Sequence, residues 1–302
     1  MRWLALSFVL CACGSDPGSD WERISIPTDG SNTVFSVWAF ADDDVWLGGL
    51  STWNYDGDAW TERPLPDSGS VLNFFGFGAD DLWAVGDSTV YRWDGAAWSI
   101  VPATDGVNFS ALWRIWGADP TSVWVANQDN SRMYHWDGSA WDVTTLQFVQ
   151  GQALWGSSEN DIWVTGISSA YRYDGAQWTE FDDDPGPQGA WDMWGSGPDD
   201  VYAVGGRYDV AHFDGQTWVE IEKDDLDFNS FNGIWGSDPS NVYAVGNGGS
   251  VAHFDGDSWS ATNAGFDFQV NFTSIHGSSP TNIWATVADL RSFSSRLYRL
   301  SP

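Results

Sequence analysis

From residue 20 onward, short apolar runs alternate with clusters of Gly, Asp, Asn, Ser and Pro. Val, Ile, Tyr, Trp and Phe dominate the runs, and these residues suit a pleated, half-buried strand bounded by turns. The runs form three phrases in fixed order. An apolar residue, an aromatic and a small residue come first, as in Ile234-Trp235-Gly236. A turn (Ser237-Asp238-Pro239-Ser240-Asn241) and a second run (Val242-Tyr243-Ala244-Val245-Gly246) follow. Val251-Ala252-His253-Phe254 and the closing phrase Asp255-Gly256-Asp257-Ser258-Trp259 complete the unit.

The second-run aromatics are Trp46, Trp83, Trp124, Trp163, Tyr202, Tyr243 and Trp284. A period of about 40 residues with four strand-like runs is the size of one propeller blade. Residues 20–302 are therefore expected to be all-β, a single seven-bladed β-propeller of four-stranded blades. The closing tryptophans are Trp60, Trp98, Trp141, Trp178, Trp218 and Trp259, one fewer than the copies. The last copy ends in a third strand, Leu297-Tyr298-Arg299-Leu300, with no closing phrase. Asp20-Trp21-Glu22-Arg23-Ile24-Ser25-Ile26-Pro27 reads as the orphan fourth strand, close to Trp60-Thr61-Glu62-Arg63-Pro64. Residues 20–27 should complete the last blade beside 296–300 and seal the ring, leaving no open sheet edge.

Repetition decides the role of most conspicuous side chains. A Trp that recurs in every unit meets the same inter-blade environment each time, so it fills core. Asp-Gly between two strands is the hairpin signal, because the turn needs φ > 0. Asp56, Asp94, Asp137, Asp174, Asp214 and Asp255 are thus turn residues rather than metal ligands. His135, His212 and His253 hold one third-strand position in three blades and should lie around the ring instead of converging on a metal. His276 replaces the first-strand aromatic and reads as a core substitution. The arginines are scattered mostly one per blade, and no nucleophile elbow, phosphate loop or HExxH stretch occurs. The chain is expected not to be an enzyme.

Val201-Tyr202-Ala203-Val204-Gly205-Gly206, then Val210-Ala211-His212-Phe213-Asp214 and Trp218, resembles the kelch repeat. Tyr91 to Trp98, Tyr134 to Trp141 and Tyr171 to Trp178 keep its seven-residue offset. The double glycine is full only at Gly48-Gly49 and Gly205-Gly206, and the period is shorter than in kelch proteins. The chain also resembles Trp- and Gly-rich propeller-repeat lipoproteins of myxobacteria and related bacteria. Both resemblances imply the fold over residues 21–302 and say little of function.

Charge narrows the partners. The formal net charge is −30, and Lys223 is the only lysine. Nucleic acids bind through Lys and Arg that neutralise phosphates, so this surface repels them. Anionic lipid is excluded for the same reason. The excess charge favours solubility outside the cytoplasm.

Arg2 and the apolar stretch Trp3–Leu10 read as a signal peptide over residues 1–12. Leu10-Cys11-Ala12-Cys13 resembles the bacterial lipoprotein box with Cys13 lipidated, and residues 13–19 make a polar tether. The membrane is then met only through this anchor, with the body outside the cytoplasm at the bacterial cell envelope or secreted. Both cysteines lie in this segment, so the folded body has no disulfide.

Function should sit where the copies differ. Loops joining strand two to three, and strand four to the next blade, vary greatly. They include 128–132, 182–188, 207–209 and 223–229. In a propeller these lie on one face, and the constant turns on the other. Variable loops on a rigid scaffold are where recognition sits. At the start of strand one, alignment on Trp116 gives a ring of Ser36, Phe75, Arg114, Ala153, Asp192, Gly233 and Ser274. The ring before it is Phe35, Phe74, Trp113, Gln152, Trp191, Asn232 and Thr273. Trp113, Arg114, Trp191 and Asp192, with Gln152 and Asn232, form the candidate ligand site. They suit stacking and hydrogen bonding of a sugar, while an Arg114–Asp192 ion pair plugging the channel accounts for the same residues.

The leading reading is a monomeric binding or scaffold protein that recognises a protein or an envelope polymer through the variable face. A carbohydrate-binding lectin, with calcium as its one candidate cofactor, is the alternative. A propeller-type glycoside hydrolase or lyase using carboxylates such as Asp182–Asp184 is the third.

Overall fold

The computed structural model describes residues 20–26, 33–129, 131–147, 150–206, 209–221, 230–266, 269–292 and 294–300. The signal segment, Cys13 and its tether, Pro27, Asn130, Arg207, Tyr208 and the 223–229 loop lie outside them.

Seven four-stranded antiparallel sheets make a seven-bladed β-propeller. Blades 1 to 6 run from Val34–Glu62, Asn73–Val101, Leu112–Thr145, Ala153–Phe181, Asp192–Glu220 and Phe231–Asn263. Blade 7 takes three strands from Val270–Leu300 and its outer strand from Trp21–Ile24. Trp21 pairs with Leu300 and Ile24 with Leu297. Elsewhere the closing Trp pairs with the last residue of strand three, as Trp98 with Trp93 and Trp218 with Phe213. Trp21 keeps that register and is the seventh closing tryptophan.

The core has no single centre. Among the described residues it divides into seven clusters, one in each space between neighbouring blades. The second-strand aromatic of one blade meets the closing Trp of the next. Trp46 lies 5.6 Å from Trp98, Trp124 5.5 Å from Trp178 and Trp163 5.4 Å from Trp218, all edge to face. Aromatic pairs favour this geometry because a positive ring edge meets a negative face.

The Trp-Gly phrase of strand one works between blades too. The Trp194 ring lies where a Cβ on Gly236 would be, 2.6 Å from the nearest ring carbon. Trp116 meets Gly156, Trp155 meets Gly195 and Trp235 meets Gly277 in the same way. Residues adjacent in sequence therefore serve two different junctions.

The third-strand polar residue covers the second-strand aromatic of its own blade. Arg92 stacks over Trp83 and pairs with Asp81 at 2.7 Å, and Arg172 over Trp163 with Asp161 at 2.6 Å. His135, His212 and His253 stack on Trp124, Tyr202 and Tyr243 at 4.0, 4.3 and 4.1 Å. Burial pushes His135 and His253 below the ordinary histidine range. This cover accounts for the even distribution of Arg and His around the ring.

The Asp-Gly pairs are hairpin turns. Gly256 has φ of +94°, and Asp255 accepts bonds from the Asp257 and Ser258 amides at 3.0 and 2.9 Å. Those bonds hold the Asp255 carboxyl below the usual range. Gly256 abuts Ser240 and Gly215 abuts Asp199, so the hairpins and the strand one to two turns share one face. The variable loops lie at the opposite face.

Blade 2 departs from the alignment of the copies. Phe75, not Phe77, pairs with the second-strand Trp83, as Trp116 pairs with Trp124. Blade 2 thus shifts by two residues, bringing Asn73 into the Arg114 ring and Leu72 into the Trp113 ring. Backbone hydrogen bonding to strand two sets this register, and the alternating Phe74-Phe75-Gly76-Phe77-Gly78 fits either frame by side-chain type.

Candidate functional site: the channel mouth

Strand one is the inner edge of every blade, and its backbone faces the central channel. The ring aromatics are Trp38, Phe75, Trp116, Trp155, Trp194 and Trp235, with His276 in the seventh place. They line a cavity of about 270 Å³ together with Asn73, Arg114, Asp192 and Ser274. These last four stand two residues earlier in their strands, so they lie nearer the variable face and form the mouth.

Arg114 crosses from blade 3 to blade 5. Its Nη2 donates to the Trp191 carbonyl at 2.9 Å, and its guanidinium carbon lies 5.1 Å from the Trp113 ring centre. Blade 4 offers only Ala153 at the corresponding position, which leaves room for the crossing. Burial lowers the Arg114 pKa, and the charge of Asp192 offsets part of that. Burial raises the Asp192 pKa, opposed first by Arg114 and then by two backbone donors. Those donors are Ile234 N–H to Oδ2 at 3.0 Å and Met193 N–H to Oδ1 at 3.1 Å. Arg114 and Asp192 thus feel each other's charge, but each has its hydrogen bonds elsewhere.

The other sequence candidates occupy different surroundings. Trp191 is 38% exposed, the one ring aromatic or neighbour among the exposed large apolar side chains. Gln152 is buried, and its Oε1 has no hydrogen-bond partner. Asn232 commits both Nδ2 protons, to Asn247 Oδ1 at 2.8 Å and the Phe272 carbonyl at 2.9 Å, tying blade 6 to blade 7. Trp113, Arg114, Trp191 and Asp192 come together at the mouth, whereas Asn232 acts at a blade junction.

Two channel residues escaped the sequence reading as members of the site. Asn73 caps the blade 3 edge by accepting from Ile115 N–H at 3.2 Å, the part Asp192 plays for blade 6. His276 lines the channel, stacks on Trp38 at 3.9 Å and accepts from Ala39 N–H through Nδ1 at 3.0 Å. A missing aromatic at residue 276 was the only sequence signal for it.

Among the described residues, no three His, Cys, Asp or Glu side chains converge to hold a metal ion, and no helix is long and apolar enough to cross a membrane.

Fold and channel together define a seven-bladed β-propeller with a half-buried guanidinium across its mouth. It is similar to a solved structure described as YCF48 bound to D1 peptide, with a TM-score of 0.74 and 18% identity over 94% of this chain and 97% of that one. It is also similar to YCF48 from Cyanidioschyzon merolae, with a TM-score of 0.70 and 13% identity over 93% and 98% of the two chains. A streptogramin B lyase structure gives a TM-score of 0.72 and 12% identity over 93% and 97%. At these identities the likeness concerns the fold alone. No protein-family model and no curated protein matches the chain.

Proposed function

We propose that the chain is a non-catalytic binding propeller that engages a protein or envelope polymer through its variable face. One observation carries this reading. Leu50, Ile167 and Leu290 are 55%, 63% and 55% exposed, and all three stand in loops between strands two and three. Trp191 opens onto the same face. Four large apolar side chains exposed on the variable face, two of them on the adjoining blades 7 and 1, favour an interaction surface there. The peptide-bound YCF48 structure lends support, since there a similar fold holds a polypeptide. A lyase shares the fold as well, so the choice rests on the surface and not on the likeness.

The repeated carboxylates point the same way. They serve turns and strand-three partners, which leaves few free for acid–base chemistry. In this reading the protein is a monomer held outside the cytoplasm at the cell envelope by a lipid on Cys13, an anchor supported by the Leu10-Cys11-Ala12-Cys13 box. A Leu50→Glu, Leu290→Glu double variant of residues 14–302 tests the reading by cross-linking in envelope extract. A specific cross-linked partner should vanish with this variant and persist with Val143→Glu on the outer strand of blade 3. Equal cross-linking by all three proteins would refute it.

A further inference from the structure

In blades 2 and 5 the residue two before the ring aromatic is an acceptor that caps the next blade's edge. Asn73 takes Ile115 N–H, and Asp192 takes Ile234 N–H. Blade 3 places Arg114 at this position. A guanidinium has donors only. Leu154 N–H, the corresponding amide of blade 4, therefore receives no such cap from Arg114. Arg114 Nε is itself shut off from solvent with no acceptor. By the equivalence of the blades, two donors, one of them charged, face a common space, and Arg114 supplies no acceptor there.

The guanidinium is held ready. The Trp191 carbonyl and the Trp113 ring fix its plane. Asp192 directs its oxygens to Ile234 and Met193. Beneath lies the cavity of about 270 Å³ walled by Trp116, Trp155 and Trp194. An engineered apolar cavity of about 150 Å³ takes up benzene, so this one accommodates a one- or two-ring group.

We propose that the channel mouth binds a carboxylate borne on a small aromatic group, with Arg114 Nε and Leu154 N–H as its donors and the ring among the channel tryptophans. The proposal stands whether or not a protein docks on the variable face. Most of the net charge of −30 opposes an anion only at long range, because salt screens exposed charges beyond about 8 Å at physiological ionic strength. The one carboxylate at the mouth, Asp192, is offset by Arg114 and by the Ile234 and Met193 amides. The six hairpin aspartates lie at the far face, and a charge-assisted bond in a half-buried site is about twice as strong as a neutral one.

The test is titration of 2-naphthoate into soluble residues 14–302, read by tryptophan fluorescence and calorimetry. Saturable one-to-one binding is expected, weakened about tenfold or more by Arg114→Gln, since one charged hydrogen bond carries that much. The neutral 2-naphthylmethanol should bind more weakly and ignore the substitution. Absence of saturable naphthoate binding, or equal binding by a folded Arg114→Gln protein, overturns the proposal. If that variant does not fold, the unaltered protein decides. Naphthoate should shift the indole N–H resonances of Trp116, Trp155 and Trp194 and leave that of Trp60 in place; shifts confined to other tryptophans overturn it. Tighter binding of a blocked Phe-Asp-Phe peptide than of naphthoate assigns the carboxylate to a protein partner. Tighter naphthoate binding assigns it to a free acid, and no response to either ends the idea.

Discussion

At the junction of blades 5 and 6, the Trp194 ring lies flush on Gly236, and contact there is apolar. At the junction of blades 7 and 1, His276 and Ala39 stand in those same two positions. The smaller imidazole leaves space for the Ala39 methyl, and its Nδ1 accepts the Ala39 amide proton. An indole has no acceptor and cannot make that bond. Ser295 adds a second tie, accepting from Val34 N–H at 2.9 Å. The six internal junctions join blades that follow one another in the chain. The seventh must join its two ends, and at the ring position it puts a directional hydrogen bond where the Trp–Gly pairs of the internal junctions use shape. A closing joint needs one register, and apolar packing alone does not select it as sharply.

The largest test of this contrast removes the strand that completes blade 7. Deleting residues 14–27 takes away Trp21, which is buried against Phe272. Truncating a buried Trp alone costs about 3–5 kcal/mol. The deletion should lower the melting temperature by more than Trp21→Ala does; an unchanged melt would remove the closure from the account. Next in size is Gly236→Ala, whose methyl meets the Trp194 ring and should cost about 1–3 kcal/mol by overpacking. Ala39→Gly at the closing joint should cost only about 0.5–1 kcal/mol, the usual penalty of glycine in a strand. Equal costs in denaturant melts would show the two joints to be alike.

His276→Trp should destabilise by itself, and Ala39→Gly should restore part of the loss. Coupling between touching residues runs to about 0.5–3 kcal/mol in a double-mutant cycle, and zero coupling would break the pairing. The same residue also predicts a dependence on pH. Burial holds His276 down to about 3, against about 6.5 for an unfolded chain. The unfolded state then binds more protons between those values. The contribution of His276 is complete above pH ~6.5 and is lost as pH falls toward 3. The His276→Trp, Ala39→Gly protein should lack that part of the acid sensitivity; an identical pH profile of melting would count against it.

The ring and its closure were legible because they rest on local signals repeated many times. Asp-Gly dictates a hairpin wherever it occurs, and Trp21 matches the other closing tryptophans in its own flanking residues. Blade 2 was misread because Phe75 and Phe77 are the same residue two apart, and a period of two cannot tell them apart. Only the hydrogen-bonded partner, Trp83, chooses between them. The channel mouth was half legible. Arg114 and Asp192 stood out by breaking the pattern of small residues. Their partners, the Trp191 carbonyl and the Ile234 amide, are backbone atoms of other blades, and backbone partners leave no trace in side-chain identity. Asn232 looked like a ligand group for the same reason, although it holds Asn247 and the Phe272 carbonyl.

The pairing of Trp21–Ile24 with Leu297–Leu300 also sets an order in time. Chains emerge from the ribosome amino end first, so the outer strand of blade 7 is made before any of its neighbours. Its partner is made last. Blades 1 to 6 can each form from contiguous chain as it appears, while this strand waits through the whole of synthesis with its amides unpaired. An unpaired strand is an invitation to other chains. The charged residues Glu22 and Arg23, both exposed, are well placed to keep it single until the ring can close.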